Sequence, residues 1–232
     1  NTAVTWQNPT ADVKYVTLSE HTVVPFIVED VAKAMSKPDV IGGYINDAAD
    51  VIVNDVEAYL ASVIQAGATY DVTYDNTSDA TRLSSLLEAR TNIRVTNKCP
   101  KDQPLFLVVH DLADLLQCDY YINNDYTSKK VADADDGRIA DFQVKESSEC
   151  TTLSGLYQWY GFAKDSVSLV TRPMPAAGGG AQSSNVQSNG LSIRTTMQYD
   201  IDYVALKILV DILYGATVLR PEWANLIQTD IS

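Results

Sequence analysis

Polar and apolar positions recur along this chain with two different periods, and each change of period marks an expected change of structure. VKYVTL (13–18) alternates in steps of two, as a half-buried strand does. Pro9 sets a turn before it, and nothing ahead of it can pair with it locally, so its partner is expected upstream or on another subunit. PFIVEDVAKAM (25–35) starts with Pro and then reads as helical. SKPD (36–39) interrupts, because Pro38 removes a backbone donor and pushes Lys37 away from helical angles. Asp39 stands where it could cap the next helix. From Asp39 to Ala66 the apolar residues Ile41, Ile45, Ala48, Ile52, Val56, Tyr59 and Val63 recur at steps of three and four, which is one helical face. Asn46, Asp47, Asp50, Asn54, Asp55 and Glu57 fill the opposite side, and Gly67 is a natural stop just past the end. At ~1.5 Å per residue this rod would be roughly 40 Å long. Gly42 and Gly43 are expected to bend or fray its start.

Shorter elements come next along the chain. TSDATRLSSLLEARTNI (77–93) predicts a helix capped by Thr77 or Ser78, with Leu83, Leu86, Leu87 and Ile93 as its apolar face. QPLFLVVHD (103–111) is a continuous apolar run, the mark of a buried strand, and DLADLLQ (111–117) predicts a helix starting on Asp111. DADDGRIADFQVKES (133–147) reads as a turn leading into an alternating strand. LYQWYGFAKDSVSLVTRPMP (156–175) is β-rich with a short turn or helix at its centre. PAAGGGAQSSNVQSNG (175–190) has no apolar period and reads as a loop, and the segment from Leu191 onward is strand-rich. No internal repeat is evident.

Composition narrows the class. With 232 residues, 46% of them hydrophobic, the chain can bury a core as one large domain or two small ones. No apolar run approaches the ~18 residues of a membrane-spanning helix. No basic segment followed by an apolar one marks a signal peptide. The first residue is Asn1 rather than Met, so a processed, trimmed or partial chain is expected. Seventeen basic residues against 30 acidic ones give a net charge of −13, which argues against phosphate-driven nucleic-acid binding but allows a wall that repels nucleic acid. Three widely spaced cysteines, Cys99, Cys118 and Cys150, form no C-x-x-C; reduced thiols of a cytosol-like compartment are expected rather than a zinc site.

The search for chemistry returns little. His110 and Asp111 end the LFLVV strand, but no G-x-S-x-G supplies a nucleophile, so Asp111 is read as a helix cap and His110 as the strand's last residue. His21 has no ligand partner at short spacing. The DADD turn (133–136) fails the calcium-loop pattern because its twelfth position is Val144. GGG (178–180) has no following Lys and is not a phosphate loop. QWYG (158–161) has no basic neighbours and is read as core or interface. No catalytic residue, cofactor or metal site is assigned. What remains is a long rod, an unpaired arm, a mixed α/β region and a β-rich end.

Six segments, in this order, resemble the major capsid proteins of tailed bacteriophages, the Hong Kong 97-type fold. VKYVTLSEHTVVPFIVEDVAKAM is similar to the second strand of that family's extended loop and its first short helix. DVIGGYINDAADVIVNDVEAYLASVIQAG resembles its long spine helix, and PLFLVVHDLADLLQCD a strand and short helix of its axial domain. DGRIADFQVKES, FAKDSVSLVTRPMP and DYVALKILVDILYGATVLRPEWANLI resemble later strands, the last with Tyr-Gly and Arg-Pro-Glu endings. The likeness runs from about residue 13 to 229. The first strand of the extended loop, and the family's Lys–Asn crosslink, have no match here.

The resemblance implies an α+β chain. Its parts would be a remnant of the extended-loop arm (1–20), a peripheral domain with the spine helix (21–66 and 151–200) and an axial domain (67–150 and 201–232). It implies a non-enzymatic coat protein that assembles through pentamers and hexamers into an icosahedral shell around double-stranded DNA, without sequence-specific DNA binding or a membrane. Scaffolding, portal and decoration proteins are its further expected partners, and the host cytoplasm its place of assembly. Trp6, Tyr15 and Val16 would be arm residues touching another subunit. Three alternatives stand beside it: an encapsulin-like shell holding protein cargo, a tail or decoration protein, and an α/β hydrolase-like enzyme using His110 and Asp111.

Overall fold

In the computed structural model, residues 13–30, 40–119, 137–153, 156–188 and 190–229 are described. Two sheets and one long helix organise them. Strand β1 (Glu20–Glu29) is followed by helix α1 (Val40–Gly67). Next come β2 (Tyr70–Tyr74), helix α2 (Asp79–Thr91) with a π-helical turn (Asn92–Thr96), β3 (Leu105–Val109) and the single turn α3 (Ala113–Leu116). The short strands β4 (Arg138–Ile139), β5 (Phe142–Glu146) and β6 (Thr152–Leu153) precede β7 (Leu156–Ala163). The chain closes with β8 (Val167–Arg172), β9 (Gln182–Ser188), β10 (Leu191–Asp200), β11 (Ala205–Val218) and β12 (Ala224–Thr229).

The first sheet is antiparallel and built around β11. Along one edge β11 pairs with β1, Ala205 to Tyr214 against Glu29 to Glu20. Along the other it pairs first with β10 and then with β8, and β9 completes the order outside β10. The second sheet runs β2-β12-β7-β3-β5-β4, with β6 on β7. Its β12–β2 and β3–β5 pairs are parallel.

Helix α1 joins the two. Its first half buries Ala48, Ile52 and Val56 against Val210, Ile212 and Tyr214 of the first sheet. Its second half buries Ala61 and Ile64 against Tyr160 and Leu226 of the second. Ala61 and Ile64 fall outside the stripe read from the sequence, well round the helix from Ala48, Ile52 and Val56, so the rod uses two different sides to hold the two sheets. At the far end, a β-carbon on Gly67 would sit 2.5 Å from a methyl of Val218. Only glycine lets the helix end come this close to β11. The largest core lies on the other side of the second sheet, where Tyr74, Leu86, Ile93, Leu107, Phe142 and Trp159 are buried together. Helix α2 is held there by a reciprocal cap, the Ser78 side chain accepting from Thr81 N and the Thr81 hydroxyl from Ser78 N.

Several expectations change. Residues 13–18 form no ladder, and the strand lies further on, at Glu20–Glu29, where the sequence pattern pointed to a helix from Pro25. Thr22, Val24, Phe26 and Val28 turn toward α1, and the burial of this β-branched and aromatic row outweighs the helical reading. Pro25 is tolerated because β1 is an edge strand. Strand β1 pairs with β11 of the same chain, about 190 residues away. Residues 182–188 form a strand rather than part of a loop; their polar side chains carry no apolar signal, and the ladder with β10 supplies the order. The expected segments 151–200 and 201–232 are each divided between the sheets. The chain changes sheet at the 3₁₀ turns Lys164–Ser166 and Pro221–Trp223. The DADD turn, Trp6, Asp39 and the helical reading beyond Asp30 lie outside the described residues.

Candidate assembly surface

Among the described residues, those the sequence singled out do not converge on one site. The ring of His110 stacks on Tyr157, centroids 3.6 Å apart. Among the described residues its buried Nδ1 has no hydrogen-bond partner. Asp111 accepts from Ala113 N at 2.8 Å, as a turn-forming carboxylate, and makes no bond to the imidazole. Trp159 and Tyr160 of the QWYG segment are core residues of β7. Gly179 and Gly180 make a turn with positive φ between β8 and β9. Cys99, Cys118 and Cys150 are buried, reduced thiols. Burial pushes the Cys150 thiol up to about 12, helped by the carboxylates of Glu57 and Glu149.

What the structure does present is surface. Residues 13–19 run extended beside the end of β11, where Lys14 Nζ donates to Val218 O at 3.3 Å. A β-carbon on Gly215 would lie 2.0 Å from the Thr17 carbonyl oxygen, so glycine is what admits the arm there. Tyr15 is 84% exposed and Val16 half-buried. The outward row continues through Val23 and Ile27 of β1, both exposed. At the opposite end of the first sheet, the turn joining β10 to β11 exposes Ile201, Tyr203 and Val204, the first of them 80%. Val204 holds φ +50°, which a β-branched residue rarely adopts.

A third feature is an open cleft of about 530 Å³ beneath the second half of α1, where the two sheets meet. Leu60, Ile64, Val108, Tyr160 and Phe162 line it, with Glu57, Lys145 and Glu146 around it. Helix α1 is acidic, four carboxylates in 28 residues without a single Lys or Arg: Asp47 and Asp50 point outward, while Asp55 and Glu57 turn to Thr22 and Tyr214 and to Ser147. Exposed Tyr44 and Val51 sit among them.

Two polar clusters pin β1, and short-range sequence spacing revealed neither. On the helix side, the Thr22 hydroxyl donates to the Asp55 carboxylate, and Tyr214 OH donates to the same oxygen at 2.9 Å. Burial and the Asp55 carboxylate push the Tyr214 phenol up to about 12, against the opposing bond from Thr22. On the far side Asp211 of β11 is fully buried. Arg194 of β10 grips it with Nε at 2.9 Å and Nη2 at 2.5 Å, and His21 Nε2 lies 3.0 Å from the same carboxylate. Burial alone would raise this carboxyl, yet the bonds from Arg194 and His21 hold it below the ordinary carboxylate value. The one available signal was an Asp inside the apolar run KILVDILYG.

Comparison with known proteins bears on this architecture. A family model described as P22 coat protein, gene protein 5, matches residues 151–227, about a third of the chain. No curated protein matches by sequence. Among solved structures, a chain from Mycobacterium phage Che8 superposes with a TM-score of 0.67 at 12% identity, over 95% of this chain and 76% of that one. The capsid of the cyanophage P-SCSP1u gives 0.65 at 13% identity, over 100% and 81%. The holo-SrpI encapsulin complex of Synechococcus elongatus gives 0.57 at 13%, over 90% and 73%. The chain thus has the Hong Kong 97-type fold, that of tailed-phage major capsid proteins, with encapsulins sharing the same architecture.

Proposed function

We propose that this chain is a major capsid protein that tiles an icosahedral shell of pentamers and hexamers around double-stranded DNA. The observation that carries the reading is the extent of the likeness: nearly every residue takes part in the superposition on phage capsid chains. The surfaces support it. Large apolar side chains stand exposed at both ends of the first sheet, as suits a plate whose edges are covered by identical plates. The role is structural, not catalytic, and the protein acts in the virion after assembly in the host cytoplasm. In this reading the first sheet with α1 is the peripheral part and the second sheet the axial part. Trp6, Tyr15 and Val16 belong to an arm that contacts a neighbouring subunit. Scaffolding, portal and decoration proteins are the partners such a shell would take.

The acidic character of α1, with Asp47 and Asp50 outward and no Lys or Arg in the helix, fits an inner wall that packaged DNA does not stick to, with a repulsion that salt screens over ~8–10 Å. A second reading, an encapsulin-type shell around protein cargo, is favoured by one observation, the 0.57 superposition on the encapsulin chain. Negative-stain microscopy of the purified protein tests the main reading. Closed polyhedral shells or five- and six-fold rings are expected, and a monodisperse monomer at all concentrations overturns it. Copurifying DNA separates a viral shell from an enzyme-filled compartment.

A further inference from the structure

The first sheet has two unlike margins. Leu213 and Tyr214 of β11 pair with His21 and Glu20 on one side and with Arg172 and Thr171 of β8 on the other, so β1 and β8 lie on opposite edges of that strand. The arm leaves along the β1 edge, where the Thr17 carbonyl crosses Gly215 and Lys14 reaches Val218 O. The cleft of about 530 Å³ lies on the β8 side, lined by Val167 and Leu169 of β8 together with Leu60 and Ile64 of α1. One margin thus carries a projection and the other a recess.

Resting on the shell reading above, we infer that the cleft receives the arm of a neighbouring copy of this chain, with the ring of Tyr15 as the group that fills it. The arm is anchored to its own body at Lys14 and Thr17, while Val13 and Tyr15 stand free, 66% and 84% exposed. A side chain presented from a fixed base loses less freedom on binding. Tyrosine joins an apolar ring to a polar tip. The cleft offers the same pairing in reverse: Leu60, Ile64, Val108 and Phe162 meet the ring, and the exposed carboxylates of Glu57 and Glu146 are acceptors for the phenol O–H.

Charge selects the arm over other parts of the chain. Glu57 and Glu146 outnumber Lys145 around the cleft, and a chain of net charge −13 presents mostly surface that such a margin repels. Between Asp12 and Glu20 the sequence carries one charge, Lys14, so the arm brings a cation and no carboxylate. The apolar turn Ile201–Val204 is the poorer match, because Asp200 and Asp202 stand within it and Lys207 is already paired with Asp200. Arm and cleft are different surfaces on opposite edges, so the contact is head-to-tail, and repeated by rotation it closes a ring.

Photo-crosslinking of the assembled full chain tests this, with p-benzoylphenylalanine in place of Tyr15 and a mixture of isotope-labelled and unlabelled protein. Mixed-isotope products joining position 15 to peptides covering 57–64, 145–150 or 160–169 are expected. Tyr15→Ala should raise the concentration needed for half-assembly by ~10-fold, the scale of a buried aromatic anchor. Tyr15→Phe, which keeps the ring, should assemble much closer to the unaltered protein. Tyr15 is exposed in the single chain, so both variants should fold with unchanged circular dichroism. Particles whose products join position 15 to other peptides, or only within one chain, overturn the inference and leave the shell reading standing, as does Tyr15→Ala assembling like the unaltered protein. A chain that never self-associates removes both.

Discussion

Asp211 has no exposed surface, yet it stays ionised, and the reason is local: the two N–H donors of Arg194 and the His21 imidazole outweigh the cost of burial. Its folded pKa lies below the ordinary value. The stability it contributes is therefore complete above the usual carboxylate range and is lost as pH falls through the depressed folded value. Acid titration followed by circular dichroism should show this as a loss that is blunted in Asp211→Asn. Cys150 gives the opposite case. With its thiol pushed up to about 12, it carries almost no thiolate at neutral pH, so thiol reagents should leave it unmodified until the protein unfolds. Fast labelling of the native protein at Cys150 would contradict this. Ile52, with no exposed surface where α1 meets β11, is a packing residue; Ile52→Ala should cost about 2–5 kcal/mol in denaturant unfolding.

At the scale of elements, the long helix and the apolar strand β3 were legible because each carries its own period in full. β1 was not. Its inner row, Val24, Phe26 and Val28, makes sense only against α1, and Pro25 at its centre imitates a helix start. β9 was invisible because QSSNVQS has no apolar face to read; its order comes from β10. The arm's seat is also a matter of contact, since Gly215 leaves the space that the Thr17 carbonyl occupies. Gly215→Val should expel residues 13–19, costing about 1–3 kcal/mol of overpacking. The check is limited trypsin digestion: cleavage after Lys14 should accelerate while the two sheets stay resistant.

For the whole molecule, the deciding feature is that one helix packs against both sheets. Helix α1, with Val167 of β8 packed into the same cluster as Tyr160 and Leu226, ties the two halves together, so the plate is expected to move as one body. Exposed Tyr15, Ile201 and Tyr203 then project from its two ends, where neighbouring copies would meet. Removing residues 1–20 should abolish normal shells in electron micrographs while leaving the monomer folded; normal shells from the truncated chain would remove the arm from the assembly account.

The sequence by itself determined the elements whose burial pattern is local: the α1 stripe, the Ser78 cap, the β3 core strand, and an acidic surface unsuited to gripping phosphate. Only the tertiary structure decided which strand β1 joins, where the chain crosses between sheets, and that His21, Arg194 and Asp211 meet. Those facts depend on contacts between residues as far as 190 positions apart, and a pattern read within one or two turns of chain contains no term for them.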